Sequence, residues 1–289
     1  MRLVFLGTPA AAVPSLRAVV AAGHDVVLVV TRPDRRRGRG STLSPSPVKE
    51  AALELGLPVA HSVKAFDDVS ADLGIVVAYG AMIKPEVLER LPMFNVHFSL
   101  LPRWRGAAPV ERAILAGDEE TGVGIMSLEA TLDTGPLHAE RRVAIGDKTA
   151  STLTRELADV GASLLVGVLA DPQAVATATP QVGEPTYAQK LDAETFHLVP
   201  AMTAEEAARV VRLERAWCLL GEKRFRVVEA TAGSEVALAG TVVRQGNRAG
   251  LACRDGVLWL TSVQPEGSKA MAARAWLAGA RLGDDARWS

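Results

Sequence analysis

Asn95-Val96-His97-Phe98-Ser99-Leu100-Leu101-Pro102-Arg103-Trp104-Arg105-Gly106-Ala107-Ala108-Pro109 is the stretch whose reading decides the fold. Asn95 and His97 alternate with the apolar Phe94, Val96 and Phe98, so a strand here puts both polar side chains on one face. The run then becomes a loop carrying two prolines and two arginines before a helix opens at Pro109. In an open α/β sheet the carboxyl ends of strands are where sites are built, which makes Asn95 and His97 candidate site residues. A lone strand histidine is more often satisfied by backbone, so a second feature has to support the reading. Leu132-Asp133-Thr134-Gly135-Pro136 supplies one: an acidic residue in a tight turn, flanked by the strand-like runs 122–128 and 137–143.

Working outward, residues 2–6 read as a buried strand, 13–22 as a helix closed by Gly23, and 25–31 as a second, Val-rich strand. Residues 73–78 form another apolar strand, ending at Tyr79-Gly80, with a helix from about Pro85 to Leu91 before the quoted stretch. Near-continuous apolar strands alternating with helices predict an α/β fold, a Rossmann-like, doubly wound and mostly parallel sheet covered on both faces. The first turn, Gly7-Thr8-Pro9, lacks the Gly-x-Gly-x-x-Gly pattern, so a dinucleotide site is not expected. Residues 149–170 carry Leu153, Leu157, Val160, Leu164, Leu165 and Val168 at helical spacing.

The expected domains are 1–170, a linker at 171–200 with a Pro, Gly, Thr and Gln mixture at its start, and 201–289. In the last, a helix opened by Thr203-x-x-Glu206 precedes short strand candidates at 225–230, 240–244, 250–253 and 257–263, the pattern of a small β-barrel. Arg224, Arg226, Arg244, Arg248, Arg254 and Lys269 offer that domain a basic face.

At 289 residues, 48% hydrophobic and 22% charged, the chain has the make-up of a soluble globular protein. No run approaches the roughly 18 apolar residues of a membrane span. Gly7 and Pro9 cut the first apolar run short of a signal peptide, so a cytoplasmic protein is expected. Cys218 and Cys253 show neither metal-ligand nor disulfide spacing. A net charge of −1 excludes a chain that coats nucleic acid over its whole surface and leaves a local patch as the means of RNA contact. The loop from Arg32 to Pro47 has five arginines within eight residues, including Arg35, Arg36, Arg37 and Arg39, the residue type that pairs with phosphates.

The run from Asn95 to Pro109, with Leu132 to Pro136, strongly resembles the methionyl-tRNA formyltransferase family. Gly7-Thr8-Pro9, Pro45-Ser46-Pro47-Val48-Lys49, Val77-Ala78-Tyr79-Gly80 and Gln264-Pro265-Glu266-Gly267 extend the resemblance over most of the chain. Asn-x-His-x-Ser-Leu-Leu-Pro is shared with other folate-dependent formyltransferases; Arg103 to Pro109 is the narrower signal. The resemblance implies a formyltransferase-type sheet domain, an OB-like C-terminal barrel that contacts tRNA, and catalytic roles for Asn95, His97 and Asp133. It also implies 10-formyltetrahydrofolate as formyl donor, initiator methionyl-tRNA as acceptor, a monomer and no metal. Folate contacts are expected from Ala81, Met82, Ile83, Ser99, Leu100, Leu101, Pro102 and Thr131, and tRNA contacts from Arg35, Arg36, Arg37, Arg39 and Lys190. The chain departs from the family pattern at Phe98, where a small residue is usual, at Thr131, where glycine is usual, and at Ala10-Ala11.

Formyl transfer to an amine passes through a tetrahedral intermediate with negative charge on the former carbonyl oxygen. Asn95 and His97 are donors for that charge, and Asp133 beside the histidine serves a proton relay. The rival expectations are formyl transfer to another amine, such as an amino sugar nucleotide or glycinamide ribotide, and a weakly active protein that binds folate or tRNA.

Overall fold

The computed structural model describes residues 1–36, 43–280, 282–283 and 286–289. Contacts divide the chain into two compact units, Met1–Val110 with Glu119–Ala144 and Leu153–Gln189, and Glu111–Asp118 with Ile145–Thr152 and Lys190–Ser289. Among the described residues no helix is long and apolar enough to cross a membrane.

The first unit is built from β1 (Arg2–Gly7), α1 (Val13–Ala21), β2 (Asp25–Val30), the short pair β3 (Arg35–Arg36) and β4 (Leu43–Ser44), α2 (Pro47–Glu54), β5 (Val59–Ala60), β6 (Leu73–Val77), α3 (Pro85–Arg90) and β7 (Met93–His97). Then follow β8 (Arg105–Gly106), α4 (Pro109–Ala116), β9 (Glu120–Ser127), β10 (Leu137–Ala144), α5 (Ala150–Ala170), α6 (Pro172–Ala176) and β11 (Tyr187–Ala188), with α4 and α5 running across the division. Seven strands make one sheet in the order β10-β9-β7-β6-β1-β2-β5. β5, β2, β1, β6 and β7 are parallel, β9 runs antiparallel to β7, and β10 antiparallel to β9. This is the mostly parallel, doubly wound sheet expected.

The strand sequences explain the layout. β6 is buried at all five positions and β1 at all but its first, as befits strands covered on both faces. β10 is an edge strand that exposes Glu140, Arg141 and Arg142, charges that discourage pairing with another chain. The chain runs outward from β1 to β5 and returns to β6 on the other side of β1, so the strand order reverses between β1 and β6. Thr8 Oγ1 donates to the Tyr79 carbonyl across the carboxyl ends of those strands, at 3.0 Å. Ligand crevices open at such a reversal.

The second unit holds α7 (Ala204–Val211), β12 (Trp217–Leu220), β13 (Lys223–Gly233), β14 (Val242–Gln245), β15 (Arg248–Ala252), β16 (Val257–Pro265), β17 (Met271–Ala272) and α8 (Ala273–Gly279). Its antiparallel sheet has the order β12-β13-β16-β15-β14, with β17 on β16. The two edges of this curled sheet are joined by residues 286–289. Ser289 exchanges backbone hydrogen bonds with Leu219 on β12, while Val242 donates to Ala286 and Trp288 to Gly240 on the β14 side. The result is the small barrel expected, and α7 packs against β13 and β16. Thr203 and Glu206 form a complete capping box on α7. β12 and the closing segment 286–289 lie outside the strand candidates drawn from the sequence. Cys218 and Cys253 are free and buried, and burial pushes their thiols up to about 12 and about 11.

Candidate active site

Asn95 and His97 lie on β7 two residues apart and so share a face of the strand. His97 Nε2 lies 3.0 Å from the Trp104 carbonyl. A carbonyl oxygen only accepts, so in the neutral ring this nitrogen carries the proton and Nδ1 is bare. Asp133 Oδ2 stands 3.9 Å from Nδ1, ion-pair distance but beyond a hydrogen bond. His97 is 6% exposed and Asp133 7%, so charge that forms on the ring faces a carboxylate where water screens little. Asp133 Oδ2 also accepts the Gly106 backbone N–H at 2.8 Å.

The loop after β7 sets this geometry. Ser99 is fully buried and donates to the Arg103 carbonyl at 2.6 Å. Trp104 sits at φ 63 and Asp133 at φ 51, left-handed conformations that cost a non-glycine residue of order 1–3 kcal/mol each and persist only where surroundings impose them. Those surroundings come from the stretch 171–189, which does more than connect. Thr186 Oγ1 accepts from the Trp104 N–H at 2.9 Å, and the Ala188 carbonyl from the Ala107 N–H at 2.8 Å. β11 pairs in parallel with β8, and a Cβ at Gly106 would lie 2.8 Å from the Ala188 oxygen, so glycine is required there. Gln181 extends the same strap to the acidic turn: its amide donates to the carbonyls of Asp133 at 3.0 Å and Gly135 at 2.8 Å. Its Oε1 accepts both Nε and Nη2 of Arg105, at 3.1 and 2.7 Å. Gln181 and Arg105 were not among the residues singled out from the sequence. Nothing in a Pro-, Thr- and Gln-containing linker marks one glutamine, and Arg105 stood only as part of a motif.

Among the expected folate contacts, Ala81 and Met82 are exposed, Met82 at 90%, and Ile83 is buried. Leu101 and Pro102 are buried, Leu100 is half-buried, and Thr131 is exposed with its carbonyl accepting from Thr134. The nearby Ala78 adds another left-handed residue at φ 46. Phe98 turns away from the Asn95 and His97 face. Its ring packs at Gly161 of α5, where a Cβ would lie 3.7 Å from it and 2.8 Å from Val96 Cγ1. The bulk at Phe98 is thus absorbed by a glycine on the covering helix.

Of the expected phosphate-pairing residues, Arg35 and Arg36 are exposed on the β3–β4 pair, and Lys190 is exposed in the second unit. Arg37 and Arg39 lie outside the described residues. The base of the arginine loop is anchored by Lys49 on Asp34, at 2.8 Å. Of the barrel's basic residues, Arg224 and Arg226 line one cavity together with Arg215, while Arg244 donates to the Leu282 carbonyl and Arg248 lies over Trp259.

Residues 1–169 match the family model described as formyl transferase, and residues 191–281 the model for the formyl transferase C-terminal domain. The chain is 45% identical to the methionyl-tRNA formyltransferase of Thiobacillus denitrificans, across 98% of this chain and 97% of that one. It is 42% identical to the methionyl-tRNA formyltransferase of Paracoccus denitrificans, across 98% and 99%. Among solved structures, the N-formyltransferase from Helicobacter canadensis superposes with a TM-score of 0.69 across 91% of this chain and 98% of that one; at 17% identity this likeness speaks to the fold.

Proposed function

The chain belongs to the formyl transferase family, and from that premise we propose that it transfers a formyl group from 10-formyltetrahydrofolate to the α-amino group of methionine on initiator tRNA. The observation that carries the reading is the buried His97–Asp133 arrangement beside Asn95, held by a loop that two separate segments brace.

A pterin ring requires an apolar slot with backbone groups along its edge. The segment after β6 fits that need, with left-handed backbone at Ala78 and Gly80, exposed Ala81 and Met82, and buried Ile83. The folate supplies the formyl group. In our reading Asn95 donates its amide N–H to the formyl oxygen as that oxygen gains negative charge, an interaction worth about 3 to 4 kcal/mol where such donors have been removed. His97 holds the complementary position. Its bare Nδ1 takes the proton that the attacking amine sheds as the new N–C bond forms, the imidazolium so formed faces Asp133, and that proton passes to N10 of the folate as the C–N10 bond breaks and tetrahydrofolate leaves. His97 therefore donates from Nδ1 only after it has accepted a proton, which refines its role from fixed donor to base. The chemistry falls to the sheet domain, and the barrel domain and the arginine loop contact the tRNA.

Formylation measured with one donor and three acceptors tests this: methionyl initiator tRNA, an amino sugar nucleotide and glycinamide ribotide. Transfer to the tRNA alone is expected. Turnover on either small amine with none on the tRNA overturns the acceptor, and absence of transfer to all three overturns the reaction.

A further inference from the structure

A neutral imidazole has one ring proton, and at His97 two acceptors compete for it: the Trp104 carbonyl, 3.0 Å from Nε2, and the Asp133 carboxylate, 3.9 Å from Nδ1. A carboxylate is the stronger acceptor of the two. The proton therefore stays on Nε2, and Nδ1 stays bare, only while the Trp104 carbonyl is held close and aimed at the ring. What aims it lies on the far side of the loop.

A planar trans peptide points its C=O and its N–H in opposite directions. In the peptide joining Trp104 to Arg105 the carbonyl faces His97, and the Arg105 N–H donates to the Thr186 carbonyl at 2.9 Å. The preceding peptide is pinned in the same sense. Its carbonyl, that of Arg103, accepts the buried Ser99 hydroxyl at 2.6 Å, and its N–H, that of Trp104, donates to Thr186 Oγ1 at 2.9 Å. Two successive peptide planes thus run from His97 and Ser99 to one residue of the strap, 82 positions beyond Trp104. Trp104 joins the two planes, so fixing both fixes its backbone, and the left-handed φ of 63 is the conformation they impose. Thr186 holds one plane with its carbonyl and the other with its hydroxyl, and its own N–H donates to the Pro102 carbonyl at 3.3 Å. Substitution of its side chain removes the hydroxyl contact alone and leaves both backbone contacts in place.

We propose that Thr186 is a positioning residue whose hydroxyl, acting through Trp104, selects the tautomer in which His97 Nδ1 is bare; the proposal rests on the reading of His97 as the base of formyl transfer. Without the hydroxyl the Trp104 backbone loses a restraint and its carbonyl turns from the ring. The proton then passes to Nδ1, where it is donated to Asp133, and the bare nitrogen faces the loop instead of the carboxylate. A ring in that state has no vacant Nδ1 to take the proton of the attacking amine.

Ring-nitrogen NMR spectra of the full chain, labelled at histidine, read the tautomer directly, because protonated and bare ring nitrogens resonate far apart. They are recorded at alkaline pH, where an ordinary histidine is neutral, for the unmodified protein, Thr186→Val, Thr186→Ala and Thr186→Ser. The His97 signals are those missing from His97→Gln. The unmodified protein should carry the His97 proton on Nε2, Thr186→Val and Thr186→Ala should show a resolved fraction with the proton on Nδ1, and Thr186→Ser should restore the original pattern. His138, whose Nδ1 lies 2.9 Å from the Ala174 carbonyl, is the reference in the same spectra and stays unchanged. In formylation kinetics Thr186→Val and Thr186→Ala should lower kcat roughly three- to tenfold with KM nearly constant, and Thr186→Ser should recover most of the rate. A His97 tautomer that ignores the hydroxyl overturns the proposal, even if the melting temperature falls. So does a proton found on Nδ1 in the unmodified protein, or a tautomer that moves with no loss of kcat. Absence of transfer by the unmodified protein overturns the proposed function instead; the ring spectra need no substrate and decide the Thr186 contact on their own.

Discussion

His97 and His138 stand on strands of the same sheet, and each gives one ring nitrogen to a backbone carbonyl, yet they end in opposite states. His97 directs Nε2 at the Trp104 carbonyl, 3.0 Å away, and His138 directs Nδ1 at the Ala174 carbonyl, 2.9 Å away. The neutral rings are therefore opposite tautomers. The second nitrogen separates them further. In His138 it is 2.8 Å from the Ser127 hydroxyl, which donates to it, and the ring lies against Phe94 with centres 4.0 Å apart. In His97 it faces the Asp133 carboxylate at 3.9 Å, with no hydrogen bond between them. A histidine saturated at both nitrogens is a packing residue with polar ends. One left with a bare nitrogen before a buried carboxylate has a proton to gain and a charge to hold it.

The largest expected effect breaks this comparison on the His97 side. His97→Ala should lower kcat for formyl transfer by about 10²- to 10⁴-fold, the usual worth of a positioned acid or base, with little change in KM. Single-turnover formylation measures it, and a rate within tenfold of the unmodified protein would remove His97 from the chemistry.

Next comes the strap that places the carboxylate. Gln181→Ala deletes both amide contacts to the acidic turn and the acceptor for Arg105. We expect kcat to fall about tenfold, because small displacements of a positioned group are costly in rate, with KM nearly constant. A merely structural role would lower the melting temperature and leave the pH–rate profile of kcat in place; a shifted profile identifies Gln181 as a positioning residue for Asp133.

The smallest effect sharpens the comparison from the other side. His138→Leu leaves the Ser127 hydroxyl and the Ala174 carbonyl without their partner, at a cost of about 1 kcal/mol in stability, measurable by urea unfolding. Its kcat should equal that of the unmodified protein. A rate loss comparable to that of His97→Ala would show that saturation of the second nitrogen does not separate the two histidines.

The asymmetry runs through the site as a whole. Asn95 and His97 could be paired from the sequence because a strand alternates with period two, and Asp133 because a short Asp-Thr-Gly-Pro turn announces itself. Gln181 could not, since its part depends on a strap that returns to the loop through β11 pairing with β8, more than 70 positions away. Phe98 reads in the sequence as an obstruction; only the approach of Gly161 on α5 shows where its ring goes.

Local pattern was enough for the sheet. Apolar strands, helix-length spacings and their alternation specify which segments become strands or helices and which faces they bury, because those periodicities are properties of the backbone itself. The same is true of the β-rich second part and of the capping box at Thr203. What only tertiary structure decided are the relations between residues far apart in sequence. These are the tautomer that leaves His97 Nδ1 bare, the bracing of Asp133 by Gln181, the closure of the barrel by 286–289, and the gathering of Arg215, Arg224 and Arg226 around Trp217. Each rests on a distance of a few ångströms between groups that neither period nor propensity links, and hydrogen bonds and charge respond to distance rather than to order along the chain.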